Sequence, residues 1–228
     1  YNGPLLVLNN SFTASSSEIF SGALKDYNRG LIVGESTFGK GTVQNLLDLD
    51  RFFPKSDLKF GQLKITLAKY YRINGGSTQK IGVKPHVLFP NIYDRDIYTE
   101  NSRKNALEWD RIRDISFNNK DYISQPLVDH LNSQFLQDSK SDSSLINYLS
   151  YVSKTEENRK KNKISLNYET RINEKKANDS KSNSLETSIK ISEIFPIEEE
   201  KLLDKIKSDV YLRESVKLFV EMINFKES

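Results

Sequence analysis

Two short stretches of this 228-residue chain carry side chains that could do covalent chemistry. The first is Thr13-Ala14-Ser15-Ser16-Ser17-Glu18, and the second is Phe38-Gly39-Lys40-Gly41-Thr42-Val43-Gln44. A serine hydroxyl becomes a nucleophile when a neighbouring base takes its proton, and a lysine amine can be that base once burial lowers its pKa from about 10.4 toward neutrality. Ser15 stands where a loop enters a helix, so the free N–H groups of the first turn and the positive end of the helix dipole face its side chain. Such groups also stabilise a tetrahedral oxyanion. The residues admit a plainer reading as well. Serines before a helix serve as N-caps, and a lysine between two glycines is compatible with a solvated turn.

The elements that must position these residues are legible around them. Pro4-Leu5-Leu6-Val7-Leu8 is a continuous apolar run, the pattern of a buried strand. From about Ser15 to Tyr27, Ile19, Phe20, Ala23, Leu24 and Tyr27 recur at three- and four-residue steps, which predicts a helix. Asn28-Arg29-Gly30 closes it, and Leu31-Ile32-Val33-Gly34 is a second buried strand. A strand–helix–strand unit of this length implies parallel strands with a right-handed crossover. Thr42 to Leu49 reads as a further strand. Gly61 to Arg72 alternates apolar and polar residues, as a half-buried strand does, and Asn74-Gly75-Gly76 marks a turn. Pro85 and Pro90 bracket a short last segment, His86 to Phe89.

Near residue 92 the character changes. Leu and Ile take helical spacing over 123–136 and 145–152, residues 154–163 are strongly basic, and 172–190 is rich in Asn, Lys and Ser and weakly apolar, which reads as exposed or partly disordered. Residues 199–224 read as an amphipathic helix with a break near Ser208-Asp209. The fold class is therefore α/β (α+β), a strand–helix–strand segment over 1–92 followed by a mainly helical domain over 93–228.

Composition narrows the chemistry. Apolar residues make up 36% and charged residues 29% of the chain, so the core is expected to be unevenly distributed. The net charge is only +3, which gives no electrostatic case for nucleic acid. There is no cysteine, which excludes thiol nucleophiles, disulfides and Cys-type zinc sites. The two histidines, His86 and His130, sit in no motif that suggests a Ser-His-Asp triad. No apolar run approaches the roughly 18 residues of a membrane-spanning helix. Gly34 to Gly41 has the Gly-to-Gly-Lys spacing of a phosphate-binding loop. Gly41 nevertheless replaces the hydroxyl residue that would meet Mg²⁺, and strand sequence follows where a helix is required. The chain opens at Tyr1 in what reads as a loop before a buried strand, the expectation for a fragment or mature piece of a longer protein.

Together these segments resemble the carboxy-terminal processing peptidases, and more narrowly the tail-specific proteases of bacteria. Thr13-Ala14-Ser15-Ser16-Ser17-Glu18 is similar to the family's Ser-Ala-Ser-Ala-Ser-Glu before the nucleophile helix, with departures at Thr13 and Ser16. Phe38-Gly39-Lys40-Gly41 matches the family's lysine segment, at the family's spacing of 25 residues from the serine. Tyr71 to Gln79 and Gly82-Val83-Lys84-Pro85 match the end of the protease core. Asn105 to Asp110 resembles the start of the extra C-terminal domain of the tail-specific branch.

The resemblance implies a serine endopeptidase with Ser15 as nucleophile, Lys40 as general base, Gln44 orienting the lysine, and the backbone N–H of Ser16 in the oxyanion hole. No metal or cofactor is implied. The implied substrates are proteins with nonpolar C-termini, in a periplasm. An upstream PDZ domain, a second oxyanion donor further upstream and an adaptor protein are also implied, so the chain can carry both side chains of a dyad and still be inactive alone. Asp26 matches an aspartate position of the family. Eleven helical residues separate it from Ser15, about 16 Å along the axis, so it reads as structural and not as a direct partner. Trp109 reads as a packing anchor, and the basic stretch as a solvated helix face or a partner surface. Two other functions fit the residues: a non-catalytic interaction module built on a protease remnant, and a related Ser–Lys hydrolase of non-peptide substrates.

Overall fold

A computed structural model describes residues 1–55, 57–161, 163–182 and 209–225. The described residues divide into two compact units. The first comprises Tyr1–Leu88 with Tyr93–Ile123, and the second Phe89–Ile92 with the residues from Ser124 onward.

The first unit is built on the expected strand–helix–strand motif. Strand β1 (Leu6–Asn9), helix α1 (Ser16–Asp26) and strand β2 (Leu31–Gly34) form a parallel pair with its crossover helix, with Leu6 opposite Leu31 and Asn9 opposite Gly34. A two-residue strand β5 (Val87–Leu88) pairs parallel to β2 on its other side, giving the order β1-β2-β5. The central strand is the most apolar, and Leu31, Ile32 and Val33 are wholly buried together with Val83 and Val87. A central parallel strand is covered on both faces, so a continuous apolar run follows.

Strands β3 (Thr42–Asp48) and β4 (Gln62–Lys69) form a separate antiparallel pair. The alternating sequence of β4 predicts a half-buried strand, but six of its eight residues are exposed. A two-stranded sheet has no second layer here, so its apolar side chains Leu63 and Leu67 remain in contact with solvent. Residues 93–123 contain a short helix α2 (Arg95–Tyr98) and a 3₁₀ turn (Glu100–Ser102). The rest of this segment is irregular and lies along the Asn74-Gly75-Gly76 turn, where Ile112 donates to Gly75 and Trp109 Nε1 donates to the Ser77 carbonyl.

The second unit is helical, with α3 (Gln125–Ser141), α4 (Ser143–Lys160), α5 (Tyr168–Ser182) and α6 (Val210–Asn224) among the described residues. Each of α3, α4 and α6 starts at a side-chain cap, from Ser124, Asp142 and Asp209 respectively. Of the helix expected over 199–224, α6 starts at its cap Asp209, and residues 199–208 lie outside the described residues. Residues 172–182, expected to be exposed or partly disordered, continue helix α5, and 173–176 are exposed. Residues 183–190 lie outside the described set. The small core of this unit is made by Leu127, Leu131, Leu145, Tyr148 and Leu218, with Phe89 stacked on Phe135.

Candidate active site

The loop from β1 to α1 is stiffened before Ser15 is reached. Asn10 Oδ1 accepts from the N–H groups of Phe12 and Thr13, and Ser11 N–H donates to the buried carboxylate of Glu35 at 2.8 Å. Ser15 then adopts φ 57° and ψ −117°. A helix N-cap ordinarily has negative φ, and an unfavourable backbone of this kind costs on the order of 1–3 kcal/mol and persists only where its surroundings impose it. A serine on a sharp strand-to-helix turn is displayed in the way a nucleophile requires.

Glu18, in the first turn of α1, supplies that constraint. Its carboxylate is wholly buried and accepts four bonds: from Ser15 N–H at 2.9 Å and Lys40 N–H at 2.8 Å on Oε2, and from Gly39 N–H at 2.7 Å and the Thr37 hydroxyl at 2.5 Å on Oε1. Two nitrogens bound to one oxygen cannot lie further apart than the two bonds laid end to end, so the backbones of Ser15 and Lys40 are within 5.7 Å of each other. A second tie runs from Phe38 N–H to the Thr13 carbonyl at 2.8 Å. A buried carboxylate is stable only with such donors around it.

The two glycines beside Lys40 are required sterically. Gly39 has φ +93°, and a Cβ there would stand 2.7 Å from the Lys80 carbonyl carbon; a Cβ on Gly41 would stand 2.7 Å from the Gln79 nitrogen. The loop is thus pressed against residues 79–80, and only glycine admits that approach.

Ser15 and Lys40 are both half-buried. No hydrogen bond joins their side chains, and no carboxylate lies within 4 Å of the Lys40 amine among the described residues. Catalytic contacts commonly tighten only when substrate is bound. The Ser16 N–H has no acceptor among the described residues and opens onto an exposed position, as an oxyanion donor must. A groove of about 380 Å³ runs beside it, lined by Val7, Leu8, Asn9, Thr13, Ser16, Ser17, Phe20 and Ser21.

Gln44 is placed differently. It is exposed on β3, and its Nε2 lies 3.4 Å from the hydroxyl of Thr66, its register partner, with no bond to Lys40. The register shifts between Val43 and Gln44, and such an irregularity re-aims the side chains that follow it.

Residues 1–89 match the family model described as Peptidase family S41, and residues 93–224 match the C-terminal domain of tail specific protease. The chain belongs to the tail-specific protease family. It is 35% identical over 237 residues to the tail-specific protease of Haemophilus influenzae, covering 99% of this chain and 33% of that protein. It is 46% identical over 95 residues to the chloroplastic C-terminal processing peptidase of Tetradesmus obliquus, covering 41% of this chain and 19% of that protein. Among solved structures, the photosystem II D1 C-terminal processing protease shares 42% identity over 42% of this chain and 23% of its own, with a TM-score of 0.33. The chain therefore spans about one third of the length of the Haemophilus tail-specific protease, and less of the others.

Within this family member, Asp26 is structural, as helix arithmetic requires. It ends α1 and is gripped by Arg72 through Nε at 2.8 Å and through Nη2, with Asn74 Nδ2 at 3.1 Å. Beside it, burial and then the Arg72 charge bring the Lys25 amine down to about 8, with Nζ donating to the Lys84 carbonyl. His86 is held at about 4, first by burial and then by Lys25, and its Nδ1 accepts from the Ile32 N–H at 2.9 Å. That bond occupies the Nδ1 lone pair of a neutral imidazole beside strand β2. His130 lies on an exposed face, 3.5 Å from Glu221.

Sequence reading takes Glu18 only as part of a motif. Three of its four donors, on Thr37, Gly39 and Lys40, lie on a loop 19–22 residues away, and only the bond from Ser15 N–H has a local signature, the capping box. Gln79, which accepts from Gly41 N–H at 2.9 Å, and Arg95 and Glu100, which meet the same loop, carry no local signal.

Proposed function

We propose that this chain carries the nucleophile and the general base of a serine endopeptidase that cleaves proteins recognised by nonpolar C-terminal tails. One observation carries the reading: a single buried oxygen, Oε2 of Glu18, accepts from the N–H of both Ser15 and Lys40, so two residues 25 positions apart are brought to one place with Ser15 in an imposed, positive-φ conformation. Capping alone explains neither the second bond nor that backbone.

The mechanism follows from the residues. Neutral Lys40 takes the proton of Ser15 Oγ as the oxygen bonds to the carbonyl carbon of the scissile peptide. The carbonyl oxygen becomes an oxyanion and accepts from the Ser16 N–H. Collapse breaks the C–N bond, the Lys40 ammonium delivers its proton to the leaving amine, and an ester to Ser15 remains. Water, deprotonated by Lys40, attacks the ester, and Ser15 Oγ leaves with that proton. The groove along β1 offers an extended chain a place beside Ser16. Gln44 acts by re-aiming toward Lys40 when substrate is bound. A substrate-binding PDZ domain, a second oxyanion donor elsewhere in the longer protein, an adaptor and a periplasmic setting complete the reading.

The test is cleavage of an unstructured peptide with an apolar C-terminus by the longest form of the protein. Ser15→Ala and Lys40→Ala should each abolish turnover while leaving the unfolding midpoint within a few degrees of the parent. Retained turnover in Lys40→Ala removes the lysine from the mechanism. Silence of the parent protein itself favours a non-catalytic module.

A further inference from the structure

The loop that presents Lys40, residues 35–41, belongs to no helix or strand. Its backbone polar groups are buried or half-buried, so they must be satisfied individually. Glu18 takes the N–H groups of Gly39 and Lys40 from one side. The carbonyls on the other side are met from a segment much later in the chain. Arg95 Nη1 donates to the carbonyls of Ser36 and Thr37, both at 2.6 Å, and Nη2 donates to the Ile81 carbonyl at 3.2 Å. Glu100 N–H donates to the Phe38 carbonyl at 3.2 Å. The buried Glu100 carboxylate accepts from Gln79 Nε2 at 3.1 Å, and Gln79 Oε1 accepts from the Gly41 N–H.

We propose that Arg95, backed by Glu100, is a positioning residue for the proposed general base, fixing the path of residues 36–38 so that Lys40 emerges beside Ser15. The inference rests on the reading of Lys40 as base. Three points carry it. The guanidinium fork reaches four carbonyls from a fixed plane, those of Ser36, Thr37 and Ile81 and, at 3.5 Å, that of Lys80, which no flexible amine reproduces in full. The guanidinium also lies in the field of the Glu18 and Glu35 carboxylates, so it offsets negative charge buried against the same loop. Both Arg95 and Glu100 lie beyond the residues matched by the Peptidase S41 model and inside those matched by the tail-specific C-terminal domain. The C-terminal domain thereby acts on the chemistry through its first ten residues, in addition to whatever its helices do.

The experiment uses the full-length protease and measures kcat and KM on a fluorogenic peptide for Arg95→Ala, Arg95→Lys, Ser15→Ala and Lys40→Ala, with thermal unfolding of each. Displacing a catalytic group by about 1 Å costs on the order of 100-fold in rate. Arg95→Ala is therefore expected to lower kcat by about 10- to 100-fold with KM within about twofold, the pattern of an interaction that acts on the reaction and not on binding. Arg95→Lys keeps a donor for Ser36 and Thr37 and loses Ile81, so it should recover a measurable part of kcat. Parental kcat in a folded Arg95→Ala, with Lys40→Ala inactive, overturns this inference and leaves the dyad standing. Should Arg95→Ala not fold, Arg95→Lys decides: reduced kcat at an unchanged midpoint supports the role, and parental kcat rejects it. Activity in Lys40→Ala defeats the underlying reading, and the inference with it.

Discussion

At Glu18 four donors converge on two oxygens in a site without solvent, so its replacement leaves buried N–H groups to account for. Glu18→Gln keeps one acceptor oxygen and turns an amide NH₂ toward donors that need an acceptor. Each orphaned buried donor costs about 1–3 kcal/mol. The variant should lose about 2–4 kcal/mol in urea unfolding and at least about 100-fold in kcat/KM in the full-length enzyme. His86 makes a pH-dependent contribution. Its folded pKa of about 4 lies below the ordinary 6.5, so the unfolded chain binds a proton that the folded chain refuses between those values. Stability from this group is complete above pH 6.5 and is lost as pH falls toward 4, by up to about 3 kcal/mol. His86→Asn should flatten the stability-against-pH curve in that window. Equal slopes for parent and variant would show that protonation of another group governs it. Ser15 and Lys40 stood out as candidates because they and their glycines carry their signal in local sequence. Glu18, Gln79 and Arg95 did not, because what distinguishes them is the partner that folding brings from 19 to 59 residues away.

Among the elements, those with strong periodicity were readable. The βαβ motif, α3, α4 and the start of α6 at Asp209 follow from apolar spacing and from side-chain caps. β4 was misjudged because alternation reports which faces differ, and not whether a second layer covers one of them. Helix α5 was missed because its sequence is weakly apolar, so no face marks it. Cap chemistry gives a direct test in the helical unit. Asp142 caps α4 through the N–H groups of Ser144 and Leu145, and it also meets Arg213 and Lys217 of α6. The bond from Lys217, followed by the cap N–H, brings its carboxyl down to about 2. That contribution is present above the ordinary carboxylate pKa and is lost as pH falls through about 2. Asp142→Ala should destabilise this unit by about 1–2 kcal/mol in denaturant unfolding, and Asp142→Asn by less, because the amide oxygen still caps. Equal losses would mean that the ion pairs, and not the cap, hold the junction of α4 and α6.

At the scale of the whole molecule, the first unit leaves much apolar surface in solvent. Val43, Leu46, Leu63 and Leu67 of the hairpin are 47–60% exposed, and Phe52, Phe53 and Leu58 near its tip are 52–71% exposed. The register puts Leu63 and Leu67 on one face of the hairpin and Val43 and Leu46 on the other, so apolar side chains meet solvent on both faces. The 228-residue chain by itself should bind an apolar fluorescent dye and associate with rising concentration. Leu63→Ser with Leu67→Ser should reduce both, as read by dye fluorescence and light scattering. Unchanged dye binding would place the sticky surface elsewhere. The loop around Lys40 has a different bearing on the life of the molecule. Its bonds reach across 22 residues to Glu18, 38 to Gln79 and 59 to Arg95. During synthesis, Ser15 and Lys40 leave the ribosome before Arg95, whose guanidinium meets the carbonyls of Ser36 and Thr37. The loop can therefore take its folded path only after synthesis has passed Arg95 and Glu100, whose donors its carbonyls require.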